Sequence, residues 1–201
     1  MIALTFFFAF LPASEYYVYE TNDHGKIGQI TVETHKDSLG YHLIYTSDRV
    51  IEATLDTLNL KTLYLKKVIR GKLNVESFND RYFRVFYRSR EHKYTNREPI
   101  YDRHTLDFVV RGFVYGRDFK KRIRVSVPEF MVVNADLDKV GEDTVHTTVG
   151  DIDCWKIRLV PRVIFTKMQF FFWIEKEYPN RFVKYSDTSG KNQILLKEYR
   201  Q

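Results

Sequence analysis

The chain has 201 residues, 44% hydrophobic and 29% charged, enough for one globular domain to bury its own core. With 9 Gly, 5 Pro and the single cysteine Cys154, it is neither a collagen-like repeat, nor a disordered chain, nor a disulfide scaffold, and a zinc-finger pattern cannot exist. Lys and Arg outnumber Asp and Glu by 32 to 26, and the net charge of +6 favours an anionic partner: an acidic glycan, a lipid headgroup or nucleic acid.

Met1 to Ser14 contains no charged side chain. The apolar run Ile2 to Leu11, broken by Pro12-Ala13-Ser14, reads as the hydrophobic stretch and cleavage zone of a secretory signal. It is shorter than the roughly 20 residues of a bilayer span. No Lys or Arg follows Met1, so only the terminal amine supplies the usual positive start. The expected organisation is a signal segment over 1–14 and one domain over 15–201. The expected location is the periplasm or the cell exterior, with no transmembrane span.

From Tyr16 onward, apolar and polar residues alternate with a period of two. Strands are expected near 16–21, 26–35, 41–47, 60–69 and 72–79. Phe83, Val85 and Tyr87 then alternate with Arg84, Phe86 and Arg88. The segment 103–113 departs from the pattern: Leu106, Val109, Val110 and Phe113 fall at i, i+3, i+4 and i+7, with Asp102 before them as an N-cap. A short amphipathic helix is expected there. Alternation resumes with Ile123, Val125 and Val127 between Lys120, Arg122 and Arg124. Further strands are expected near 129–134 and 144–149, and Trp155, Ile157 and Leu159 alternate with Cys154, Lys156 and Arg158. Strands near 168–177, 181–187 and 192–199 complete the chain. Asp23-His24-Gly25, Arg70-Gly71 and Thr188-Ser189-Gly190 supply turns between them. Ten or more antiparallel strands must curl, so the expected fold is all-β: an open or half barrel with one short helix near 103–113.

No Walker A loop, GxGxxG, GxSxG or HExxH occurs, and no enzymatic activity, cofactor or metal is expected. His35 and His42 flank a turn and can approach across a hairpin; as isolated residues they read as surface histidines. Cys154 with His146 lacks the surroundings of a nucleophile and base. Glu175 and Glu177 read as cross-strand ion partners of Lys176, Arg181 and Lys184 rather than a glycosidase pair.

Arg84, Arg88, Lys120, Arg122, Arg124, Lys156 and Arg158 all lie on the wet faces of three expected strands, and if those strands are neighbours they form one cationic surface. Export and the lack of an aromatic ribonucleoprotein motif argue against nucleic acid. Phe170, Phe172 and Ile174 must face one side of their strand and Phe171 and Trp173 the other.

The order Trp173-Ile174, Pro179, Val183-Lys184-Tyr185, Gly190, Leu195-Leu196 resembles the closing hairpin of the bacterial domain-of-unknown-function 3108 proteins. Asp102 through Arg111 is similar to that family's short helix, Val149-Gly150-Asp151 to its glycine turn, and Tyr17-Val18-Tyr19 with Gly25-Lys26-Ile27-Gly28 to its first hairpin. The resemblance spans most of the chain after residue 14. It implies an exported envelope protein with a curled sheet like that of lipoprotein carriers, and it carries no catalytic residues. Two functions follow as expectations. The first is binding of a lipid-like ligand on the concave face through Leu106, Val109, Val110, Phe113, Phe171 and Trp173. The alternative is an envelope interaction module that holds a protein or an anionic polysaccharide on the basic exterior.

Overall fold

The computed structural model describes residues 11–127, 131–163 and 168–201. The first half is a run of antiparallel hairpins: β1 (Ser14–Asp23), β2 (Lys26–Lys36), β3 (Tyr41–Thr46), β4 (Arg49–Leu55), β5 (Thr62–Ile69), β6 (Lys72–Asn79), β7 (Phe83–Tyr87) and β8 (Arg90–Tyr94). After the short β9 (Ile100–Asp102) come a 3-10 turn (Arg103–Thr105) and helix α1 (Leu106–Arg111). The second half is β10 (Lys120–Ser126), β11 (Val132–Thr147), β12 (Gly150–Pro161), β13 (Phe170–Glu175), β14 (Phe182–Asp187) and β15 (Asn192–Arg200).

All fifteen strands form one sheet in the order β8-β7-β6-β5-β4-β3-β2-β1-β15-β14-β13-β12-β11-β10-β9. The pairing of β1 with β15 joins two meanders back to back. Every neighbouring pair is antiparallel except β9 with β10, which is parallel. The sheet curls without closing: β8 and β9 remain its edges. The two ends nevertheless approach, because the Asp102 amide donates to Thr62 Oγ1 at 2.8 Å and Arg124 Nη1 donates to the Thr95 carbonyl at 2.7 Å.

Period-2 alternation decides which face is buried. Tyr17, Val32, Leu43, Leu65, Val75, Phe83, Val85, Ile123, Val125, Leu137, Ile157, Leu159, Phe172, Ile174 and Leu196 all belong to one buried cluster. Trp155, which falls in phase with Ile157 and Leu159 in the sequence, is half-buried, with Lys139 Nζ 4.2 Å and Lys176 Nζ 4.8 Å from its ring centroid. The expected strands at 129–134 and 144–149 are parts of one 16-residue strand, β11; residues 128–130 lie outside the described residues. Asp136, Asp138, Glu142 and Asp143 are side chains of that strand. A bulge at Lys139/Gly141 lets the β11–β12 hairpin bend, and Thr148 Oγ1 at its tip donates to the Lys197 carbonyl of β15.

Helix α1 lies in the hollow of the curl. Asp102 caps the turn before it by accepting from the His104 amide at 2.9 Å, as its sequence position predicts. The α-helical part is shorter than 103–113, because the Gly112 amide already folds back to the Val109 carbonyl. Its six residues run about 9 Å, enough to reach across two strand spacings. At the N-terminus, residues 1–10 of the expected signal segment lie outside the described residues. Leu11 and Pro12 are buried, Leu11 accepts from the Tyr41 hydroxyl at 3.4 Å, and Ser14 opens β1. No helix among the described residues is long and apolar enough to cross a membrane.

Candidate functional site

The interior of the curl is built around a polar contact within an apolar stripe. Arg111, the last residue of α1, donates from Nη1 to Glu15 Oε2 at 2.9 Å and from Nη2 to Glu15 Oε1 at 2.8 Å; both side chains are essentially unexposed. Arg111 Nε also donates to the Asn180 carbonyl at 2.9 Å and Nη2 to that of Pro179 at 3.2 Å. Tyr17 donates to Glu15 at 2.5 Å, and burial holds its hydroxyl far above the ordinary value, so it remains a donor. Tyr45 donates to Asp107 at 2.9 Å, and burial pushes that carboxyl up to about 6. These contacts tie α1 to β1, β3 and the loop before β14.

The apolar residues of the helix are covered. Val109 and Val110 have 0% exposure, Leu106 has 7% and Phe113 has 5%. Phe171 and Trp173 stand on the opposite face of β13: Trp173 is paired with Lys156 and Lys184, and Phe171 with Arg158. Lys156 Nζ and Lys184 Nζ lie 5.0 and 4.9 Å from the Trp173 ring centroid, and Trp173 Nε1 donates to Asp143 Oδ2 at 2.8 Å. The six residues expected to line one apolar groove are therefore not brought together. The physical reason is the alternation itself: α1 packs in the hollow with Phe172, Ile174 and Phe182, and lysine stems and an aspartate cover the other face.

The seven basic residues do not form one cationic surface either. β7, which carries Arg84, is second from one end of the sheet, and β10 is second from the other. Between β10 and β12 lies β11, whose acidic residues alternate with its apolar ones. Asp136 accepts from Arg122 at 3.0 Å and from Arg162 at 2.6 Å, Asp138 from Arg158 at 2.8 Å, and Asp143 stands 3.4 Å from Lys156. Lys120 is opposite Asp138 in register. Arg124 is held by the Thr95 carbonyl, and Arg84 by Asp80 at 2.5 Å. Of the seven, Arg88 alone is in a turn, outside any strand.

That turn forms an open hollow. Tyr87, Arg88, Arg90 and His92 border a space of about 380 Å³ on the edge hairpin β7–β8. Arg88 lies over the Tyr87 ring at 5.0 Å. Neither Arg88 nor Arg90 has a carboxylate in ion-pair reach among the described residues, unlike Arg84. Arg88 and Ser89 hold φ of 48° and 61°, the left-handed region that L side chains avoid. Sequence alternation missed Arg90 and His92, because β8 is polar throughout and has no apolar face to mark it.

A second grouping sits on the outer face of β2 and β3. His35 and His42 are direct cross-strand partners with stacked rings, centroids 4.6 Å apart, and Asp37 in the turn reaches His42 Nε2 at 2.9 Å. Cys154 is buried, and burial pushes its thiol up to about 12, which removes it as a nucleophile.

No family model matches the chain, and no curated protein matches it in sequence. Among solved structures, a protein with a YmcC-like fold from Bacteroides fragilis is 11% identical, with 97% of this chain and 99% of that chain covered at a TM-score of 0.37. A DUF1329 family protein from Desulfovibrio piger is 10% identical over 94% of this chain and 84% of that chain, at a TM-score of 0.30. Both are too distant to bear on the fold. The chain is also similar to a β-barrel-like protein of domain of unknown function DUF1849 from Brucella abortus: 11% identity, 95% of this chain and 98% of that chain covered, TM-score 0.56. At that identity the likeness is one of fold, and the β-barrel-like architecture is shared across nearly the whole of both chains.

Proposed function

We propose that this is an exported, non-enzymatic envelope protein that holds an anionic polysaccharide on the outside of its curled sheet, at the β7–β8 hairpin. The observation that carries the outside reading is the filled interior. α1 occupies the hollow with Val109 and Val110 fully buried, and the Glu15–Arg111 contact fastens it there. Two hollows at the surface, of about 280 and 380 Å³, are bordered by strand and turn residues and not by the helix.

Two features favour the hairpin. Arg88, from the predicted basic surface, and its neighbour Arg90, which alternation missed, have no carboxylate in ion-pair reach among the described residues, so their charge is available to a polyanion. The hairpin also maintains a strained two-residue turn, and strain that persists in a structure is often tied to a binding role. The uncharged start Met1 to Ser14 supports export, and the resemblance to the domain-of-unknown-function 3108 proteins belongs to the same proposal. N-terminal sequencing of the exported form is expected to give a start near residues 14–15; an intact Met1 form in the cytosol contradicts it.

Titration with alginate, a polyuronate, tests the surface. Binding is expected to weaken with added salt. Arg88→Ala combined with Arg90→Ala should reduce affinity about tenfold, the size of two exposed charge contacts. Equal affinity in wild type and the double variant, or no binding by wild type, overturns the reading.

A further inference from the structure

We propose that His35, Asp37 and His42 form a binding site for a divalent transition metal ion of the Zn²⁺ class, on the outer face of the β2–β3 hairpin. The three residues offer ligand atoms that all lie within 4.8 Å of one another. Metal–ligand bonds of about 2.0–2.2 Å at a tetrahedral ion need donors a little over 3 Å apart, so small rotations of exposed side chains close the site. Two imidazoles with one carboxylate select Zn²⁺, Cu²⁺ or Ni²⁺ over Ca²⁺ and Mg²⁺, which take oxygen donors. With three protein ligands, at least one position stays open to water.

The hairpin positions each donor. His35 and His42 are directly opposite in the ladder, so their rings leave the same face side by side. Asp37 accepts from the Leu39 amide at 2.7 Å and the Gly40 amide at 3.2 Å, which aims its carboxylate back across the turn. Gly40 makes the turn tight: a Cβ there would meet the Leu55 carbonyl at 2.3 Å. Thr54 Oγ1 lies 3.3 Å from His42 Nδ1, so the hydroxyl can accept the Nδ1 proton and leave Nε2 facing Asp37. A partner on the far ring nitrogen is the usual companion of a metal-bound histidine. An ion pair alone accounts for Asp37 and His42 at 2.9 Å but gives no role to His35, whose ring stacks on His42.

Calorimetric titration of the chelator-treated full chain with ZnCl₂ tests the site. One equivalent should bind. His35→Gln, His42→Asn and Asp37→Asn should each weaken binding by at least tenfold, the lower end of what even an outer-shell partner contributes. Asp37→Asn retains the carbonyl acceptor of the turn, and circular dichroism of each variant shows that the hairpin still folds. Co²⁺ in place of Zn²⁺ should give visible d–d bands that vanish in His35→Gln with His42→Asn. No uptake by wild type, or equal affinity in the double variant, overturns the proposal. The site lies apart from Arg88 and Arg90, so alginate binding is expected to survive these substitutions.

Discussion

Arg111 and Glu15 are 96 residues apart in sequence, yet they meet in a two-pronged ion pair at 2.9 and 2.8 Å inside the sheet. This contact joins the only α-helix among the described residues to the first strand and fixes α1 in the hollow. A buried pair adds little net stability, but leaving one partner unpaired costs about 3–5 kcal/mol. Glu15→Ala is therefore expected to destabilise by that amount in a denaturant titration. Glu15→Gln with Arg111→Met should recover much of the loss, and a double variant no better than Glu15→Ala contradicts the pairing as the cause.

Asp107 gives a pH dependence of defined sign. Burial pushes its carboxyl up to about 6, against about 3.9 in an unfolded chain. The folded state holds the proton more tightly, so the group's stabilising effect is present below about pH 4. It is lost as pH rises through about 6, by an amount on the order of 3 kcal/mol. Asp107→Asn keeps an acceptor for the Tyr45 hydroxyl and cannot ionise. It should be more stable than wild type at pH 7.5 and equal to it at pH 4. A difference that does not change over this range contradicts the assignment.

The strand interiors, the helix and its Asp102 cap were legible because each leaves a period in the sequence, and packing agreed with it. The β4 strand was legible in principle, since Ile51, Ala53 and Leu55 alternate, but the Ser47-Asp48 turn before it and the charged Arg49 and Glu52 obscure its start. β8 carries no apolar face, so nothing in Arg90 to Tyr94 distinguishes it from a loop. The cationic surface failed for a topological reason. Alternation assigns a residue to a face, not to a neighbour, and the aspartates of β11 arrive between Arg122 and Arg158 only when strand order is known. The groove failed similarly: pattern separates Phe171 and Trp173 from Phe172 and Ile174 but does not say which set meets the helix.

The β7–β8 turn holds Arg88 and Ser89 where Asn-Gly would sit at ease. Ser89→Gly should stabilise the fold by about 0.5–1 kcal/mol, the relief of left-handed strain less the entropy of glycine. Alginate affinity should not change, because no charge is removed. A destabilised Ser89→Gly contradicts the turn geometry.

Cys154 is buried, and its thiol is pushed up to about 12. A thiol reagent at pH 8 is expected to modify it no faster than the protein unfolds, with the rate rising in denaturant. Rapid stoichiometric modification of the folded chain contradicts the burial of Cys154 within β12.

Titration with a fluorescent acyl-chain probe tests the central claim, that the interior is filled by α1 and the working surface is outside. With Val109 and Val110 unexposed, no saturable binding is expected, and tryptophan emission should not change with added probe. Saturable one-to-one binding that displaces α1, seen as faster amide exchange over Leu106 to Arg111, would contradict the claim and restore the acyl-chain carrier.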